Sequence, residues 1–182
     1  MEADLKSAPH RNGLITKEES MKALVTYFSK TGNTEQIARA IYDALPVDKV
    51  IKPIQELEGA AGYDIVFCGF PVYAHSVPGK AQPFIKTLGE GQKVAFFSTH
   101  GSLRGGQLPK QAFENAIGLA PRAKILGHFG CRGKVDPKII EMLMRQQENR
   151  AWAEEAQSAD AHPDQADLED ARAFALSVLT KV

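Results

Sequence analysis

Ser29, Lys30, Thr31, Gly32, Asn33 and Thr34 form a hydroxyl-rich turn. It follows the apolar run Ala23-Leu24-Val25 and precedes an amphipathic run from Glu35 to Leu45. Strand, turn and helix start thus fall in one stretch. The Ser29, Thr31 and Thr34 hydroxyls and the backbone N–H groups around Gly32 suit an anion on the helix N-terminus, where the helix dipole favours negative charge. A phosphate is the expected ligand, and a hydroxyl-rich helix cap without a ligand is the plain structural alternative. The chain has neither Gly-x-x-x-x-Gly-Lys-Ser/Thr nor Gly-x-Gly-x-x-Gly after a strand. That argues against a nucleoside triphosphatase and a dinucleotide-binding Rossmann enzyme.

The elements that must position this turn alternate. Short apolar runs at Lys22 to Phe28, Lys49 to Ile51, Ile65 to Phe70, Val94 to Ser98 and Ala123 to Phe129 show little polar alternation, as strands covered on both faces do. Helical patterns run from Thr34 to Leu45, Lys80 to Leu88, Leu108 to Ala120, Pro137 to Gln147 and Gln165 to Thr180. Five strands and five helices predict an α/β fold, a doubly wound five-stranded parallel sheet of order 2-1-3-4-5 with helices on both faces. Its ligand crevice lies where the winding reverses, at the carboxyl ends of strands one and three. That rule names three loops, after Phe28, Phe70 and Ser98, and all are rich in Gly, Pro and hydroxyls. Tyr73 in the second can stack on a flat aromatic ligand. His75 and His100 can donate a hydrogen bond or pass a proton near pH 7, and each is equally at home as an ordinary loop histidine.

The Ser-x-Thr-Gly-x-Thr turn, with the start Met21-Lys22-Ala23-Leu24-Val25, resembles the flavodoxin family. In that family a loop of this form holds the terminal phosphate of flavin mononucleotide (FMN). The segment Gly69 to Gly79 and the stretch Ser98 to Gln107, with its Gly105-Gly106 pair, are also similar to those of tryptophan-repressor-binding-type quinone reductases. The resemblance covers nearly the whole chain from Met21 on. It implies that Pro71, Val72, Tyr73, Ala74 and His75 line the isoalloxazine ring. It implies that Thr99, His100, Gly101, Ser102 and Gly105 serve the pyrimidine edge. Ala74 stands where many flavodoxins use Gly for a backbone switch, so that switch costs more here.

At 182 residues and 43% hydrophobic residues, one domain with one core is the default. Lys plus Arg and Asp plus Glu balance at 22 each, which gives no basic field for nucleic acid and departs from acidic electron carriers. Lys30, Arg104, Arg132 and Lys134 can add positive charge near the crevice. No apolar stretch long enough for a membrane span or a signal peptide is present, so a cytoplasmic protein is expected. Cys68 and Cys131 read as buried free thiols. A zinc site from His75, His100, His128 and Cys131 lacks the close spacing of zinc motifs. Residues 1–20 are expected to form a flexible extension and 21–182 the domain. Residues 131–163 make an excursion, either surface structure packed by Ile139, Ile140, Leu143 and Met144 or a lid or docking surface. The expected function is electron transfer between protein partners, the redox partner being unidentified. The alternative is an NAD(P)H-dependent FMN quinone or related reductase with a small-molecule electron acceptor, completed by homo-oligomerisation.

Overall fold

The computed structural model describes residues 20–182. The expected extension lies outside the described residues except for Ser20, whose hydroxyl donates to Asp48 at 3.0 Å. Five strands, β1 (Lys22–Tyr27), β2 (Asp48–Pro53), β3 (Ile65–Pro71), β4 (Lys93–His100) and β5 (Lys124–Arg132), form one parallel sheet in the order β2-β1-β3-β4-β5. This is the expected topology. The central strands β1, β3 and β4 are buried almost throughout, so their apolar runs need no alternation.

Helices α1 (Asn33–Ala44) and α6 (Gln165–Leu179) cover one face. There Ile37, Ile41, Ala171, Ala175 and Val178 meet Val25, Phe67 and Phe97. Helices α2 (Gln82–Lys86) and α3 (Gln107–Leu119) cover the other, over Leu24, Phe70, Val94 and Phe96. Asp164 and Asp167 cap α6 reciprocally, the side chain of each accepting the other's backbone N–H at 3.0 Å.

The structure departs from the sequence reading after Phe129. Strand β5 continues to Arg132, paired with β4, so Cys131 is a buried strand residue and not the start of an excursion. Helix α4 (Pro137–Met144) is then followed by an unexpected helix, α5 (Arg150–Gln157). Together they bury Ile140, Ala153 and Ala156 in a third small cluster beside the sheet's carboxyl edge. Among the described residues no helix is long and apolar enough to cross a membrane.

Candidate functional site

The chain leaves β1 and turns through Ser29 to Thr31 before α1 begins at Asn33. Gly32, the residue before the helix, has φ 90°, a left-handed conformation that costs a glycine nothing. Its N–H donates to Ser29 Oγ at 3.1 Å, which tightens the turn. Among the described residues no side-chain oxygen caps α1. Its first-turn N–H groups, orphaned as in every helix, are therefore open to an external anion. Buried Thr34 shares a 2.8 Å hydroxyl contact with Thr99 at the end of β4, and Asn33 Nδ2 donates to the Lys134 carbonyl at 2.8 Å. The turn is thus fastened to two other segments.

The second loop is fastened to the third, since Val72 N–H donates to the Thr99 carbonyl at 2.9 Å. Tyr73 and Ser76 then exchange backbone hydrogen bonds of 3.1 and 2.9 Å around Ala74 and His75. Both of these residues have positive φ, 43° and 69°, the backbone that two-residue hairpin turns demand and that L-residues resist. Tyr73 is 43% exposed and meets Phe28 edge to face at 6.5 Å. The His75 ring bonds Gln111 Oε1 on α3 at 2.9 Å.

In the third loop His100 is buried and its Nδ1 lies 2.8 Å from the Ser102 carbonyl. A carbonyl can only accept, so Nδ1 carries the proton. Burial lowers the His100 pKa and the charges of Arg132 and Arg104 lower it further, against the Ser102 bond, so the ring is neutral at pH 7. His128 lies nearby, stacked on Phe113 at 4.2 Å, and burial together with His100 brings its pKa down to about 4.

The three loops meet around a cavity of about 440 Å³ at the carboxyl edge of the sheet. Ser29, Lys30, Thr31, Asn33 and Thr34 line one part. Pro71, Val72, Tyr73 and Ala74 line a second, and Thr99, His100 and Gly101 a third. Gly32, His75, Ser102 and Gly105 lie outside the lining; Gly32 shapes the turn, and His75 is held toward α3. The remaining wall is Gly133, Lys134, Val135, Asp136, Ile139 and Trp152, all from the chain after β5. From the sequence, Lys134 is named as a cation near the crevice and Ile139 within the segment read as surface structure or a lid; Gly133, Val135, Asp136 and Trp152 are not named there. The sole tryptophan in an Ala/Glu-rich stretch was the available signal. A groove of about 600 Å³ between α4 and α5 involves none of the three loops.

The cations divide. Lys30 and Lys134 both line the cavity, Lys134 pairing with Asp160 at 2.7 Å, whereas Arg104 pairs with Asp167 and Asp170 at 2.9 and 2.7 Å. Arg132, 8% exposed, binds neutral acceptors among the described residues: the Gly101, Glu155 and Ser158 carbonyls and the Ser158 hydroxyl. Burial opposes the charge on Asp167, but the His162 hydrogen bond, the Asp164 N–H and Arg104 outweigh it and hold the carboxyl below the usual range.

The family model described as a flavodoxin domain matches residues 24–176. The chain belongs to the flavodoxin family. It is 32% identical over 173 residues to the flavodoxin-like domain-containing protein BilS of Clostridioides difficile, a match spanning 88% of this chain and 98% of that one. An uncharacterised protein of Methanocaldococcus jannaschii is 30% identical over 169 residues, covering 87% and 99% of the two chains. Among solved structures, oxidised flavodoxin 2 of Bacillus cereus superposes with a TM-score of 0.58 at 21% identity. That match covers 88% of this chain and 99% of the flavodoxin, a likeness of fold.

Proposed function

We propose that the cavity binds FMN and that this flavodoxin transfers electrons between protein partners in the cytoplasm. One observation carries the reading. The uncapped N-terminus of α1, with its Ser29, Thr31 and Thr34 hydroxyls, opens into the same cavity as Val72, Tyr73 and Trp152. An anion-binding end and an aromatic end in one cavity fit a ligand with a phosphate at one end and a flat ring at the other. Bound there, FMN supplies the electron chemistry, and the protein supplies position and electrostatics.

The turn Ser29 to Thr34 would hold the phosphate, with Lys30 adding charge. Pro71 to Ala74 and Thr99 to Gly101 would border the ring, and His75, Ser102 and Gly105 would act from behind that border. With Nδ1 committed to the Ser102 carbonyl, His100 holds a lone pair on Nε2 and offers an acceptor, not a charge. Cys68 and Cys131 are free and buried, and burial pushes both thiols up, so neither is poised to react.

A reductase using NAD(P)H and a small-molecule acceptor is the second reading. It is favoured by the balanced charge of 22 cationic and 22 anionic residues, which provides no acidic field for steering to a basic partner. Dithionite titration of the FMN-loaded protein, paired with steady-state NADPH oxidation in the presence of a quinone, separates the two. A long-wavelength absorbance band midway through reduction without NADPH turnover supports the carrier. Direct bleaching with sustained turnover overturns it in favour of the reductase.

A further inference from the structure

Trp152 is the chain's sole tryptophan, and it lines the cavity from α5, outside the three loops at the sheet's carboxyl edge. Its indole N–H donates to Ser102 Oγ at 3.0 Å. A Cβ on Gly101 would stand 3.2 Å from Trp152 Cζ2 and 2.6 Å from Val135 Cγ2, so the missing side chain is what lets both lie against the loop backbone. Nε1 and Cζ2 belong to one edge of the indole; the tether and the loop contact use that edge and orient the ring. Helix α5 is in turn fixed by Arg132, whose guanidinium donates to the Glu155 and Ser158 carbonyls at 2.8 and 3.2 Å. Cations are favoured at such a helix C-terminus.

Hydrogen bonding alone does not explain this side chain, because any small donor could satisfy Ser102. The half-buried indole packs in part against the Ile140, Ala153 and Ala156 cluster, has its polar edge tied, and lines the cavity with what is left, which makes an amphipathic wall suited to a flat ring. We infer that Trp152 is a ring-contact residue, an aromatic wall for the isoalloxazine of FMN brought to the site by the helix pair α4–α5. This rests on the FMN reading above. It deepens that reading by giving the excursion after β5 a binding role. Riboflavin, which has the ring and lacks the phosphate, isolates the contact.

The test is calorimetric titration of the full-length apoprotein with FMN and with riboflavin. Replacing an aromatic platform under a stacked base weakens binding by roughly five- to a hundred-fold. W152L is therefore expected to weaken both flavins by the same factor, about tenfold. W152F and S102A should stay within about threefold of the unsubstituted chain, because they keep the aromatic surface and lose only the tether. T31A, at the other end of the cavity, should weaken FMN and leave riboflavin unchanged. A second measurement needs no substitution: 5-fluorotryptophan at the single tryptophan gives one ¹⁹F resonance, which riboflavin should shift and inorganic phosphate should not. The wall is overturned if W152L binds both flavins as the unsubstituted chain does. It is equally overturned if S102A and W152F lose as much as W152L, which is the signature of a residue that only anchors α5, or if riboflavin binds without moving the resonance. An unsubstituted chain that binds neither flavin overturns the FMN reading itself, a result distinct from each of these.

Discussion

The Ala74-His75 turn holds strain that a single substitution releases. Both residues sit at positive φ, 43° and 69°, beside the cavity. A left-handed L-residue costs about 1–2 kcal/mol. Glycine removes that cost at Ala74 but returns about 0.4–1 kcal/mol to the unfolded chain as added freedom. Ala74→Gly should therefore stabilise the apoprotein by about 0.5–1 kcal/mol, or about 1–4 °C in Tm for a chain of this size. His75→Gly gains the same relief but loses the 2.9 Å bond to Gln111, worth about 0.5–1.5 kcal/mol, and should leave stability nearly unchanged. Urea unfolding followed by circular dichroism reads both, through a midpoint that moves at constant slope. An Ala74→Gly protein that unfolds at lower urea, or a His75→Gly protein that gains more than Ala74→Gly, would refute the strain argument. Strain kept beside a ligand cavity is itself a functional signature.

Thr26 Oγ1 is buried in β1 with no hydrogen-bond partner among the described residues, so Thr26→Val should stabilise by about 1 kcal/mol in the same urea assay. The folded protein keeps His128 neutral down to about pH 4, while the unfolded chain protonates it near 6.5. The unfolded state binds more protons across that window, and His128's share of stability is full above pH 6.5 and lost as pH falls toward 4. At 1.36 kcal/mol per pH unit the shift amounts to about 3 kcal/mol, and discounting for its partial exposure leaves about 1–2 kcal/mol. His128→Gln should flatten the pH dependence of urea stability between 6.5 and 4. Gly101→Ala places a methyl 2.6 Å from Val135 Cγ2. It should cost about 1–3 kcal/mol by overpacking and weaken FMN more than it lowers the melting temperature would explain, measured by calorimetry beside thermal unfolding.

The sheet was readable because β1, β3 and β4 are buried on both faces, which forces continuous apolar runs such as Ile65 to Phe70. The winding rule then located the three loops before any motif was weighed. What escaped was held together by weaker signals. Strand β5 ends in Gly130-Cys131-Arg132, where strand pairing with β4 and not an apolar run decides the conformation. Helix α5 buries alanines, Ala153 and Ala156, against α4, and an alanine stripe hardly differs from a solvated Ala/Glu segment. The wall from Gly133 to Trp152 is distant in sequence from the loops it meets, and contacts such as Asn33 with Lys134 and Trp152 with Ser102 leave no local pattern. The direction of His75 follows from Gln111, a partner 36 residues away.

The central claim, that one cavity at the sheet's carboxyl edge holds FMN by its phosphate and ring, is tested most directly by stoichiometry. The purified protein is incubated with FMN, passed over a desalting column, and the flavin and protein absorbance of the eluted peak are compared. The account predicts close to one FMN per chain, reduced by Thr31→Ala. A peak that carries no flavin, or flavin retained equally by the Thr31→Ala chain, would contradict it.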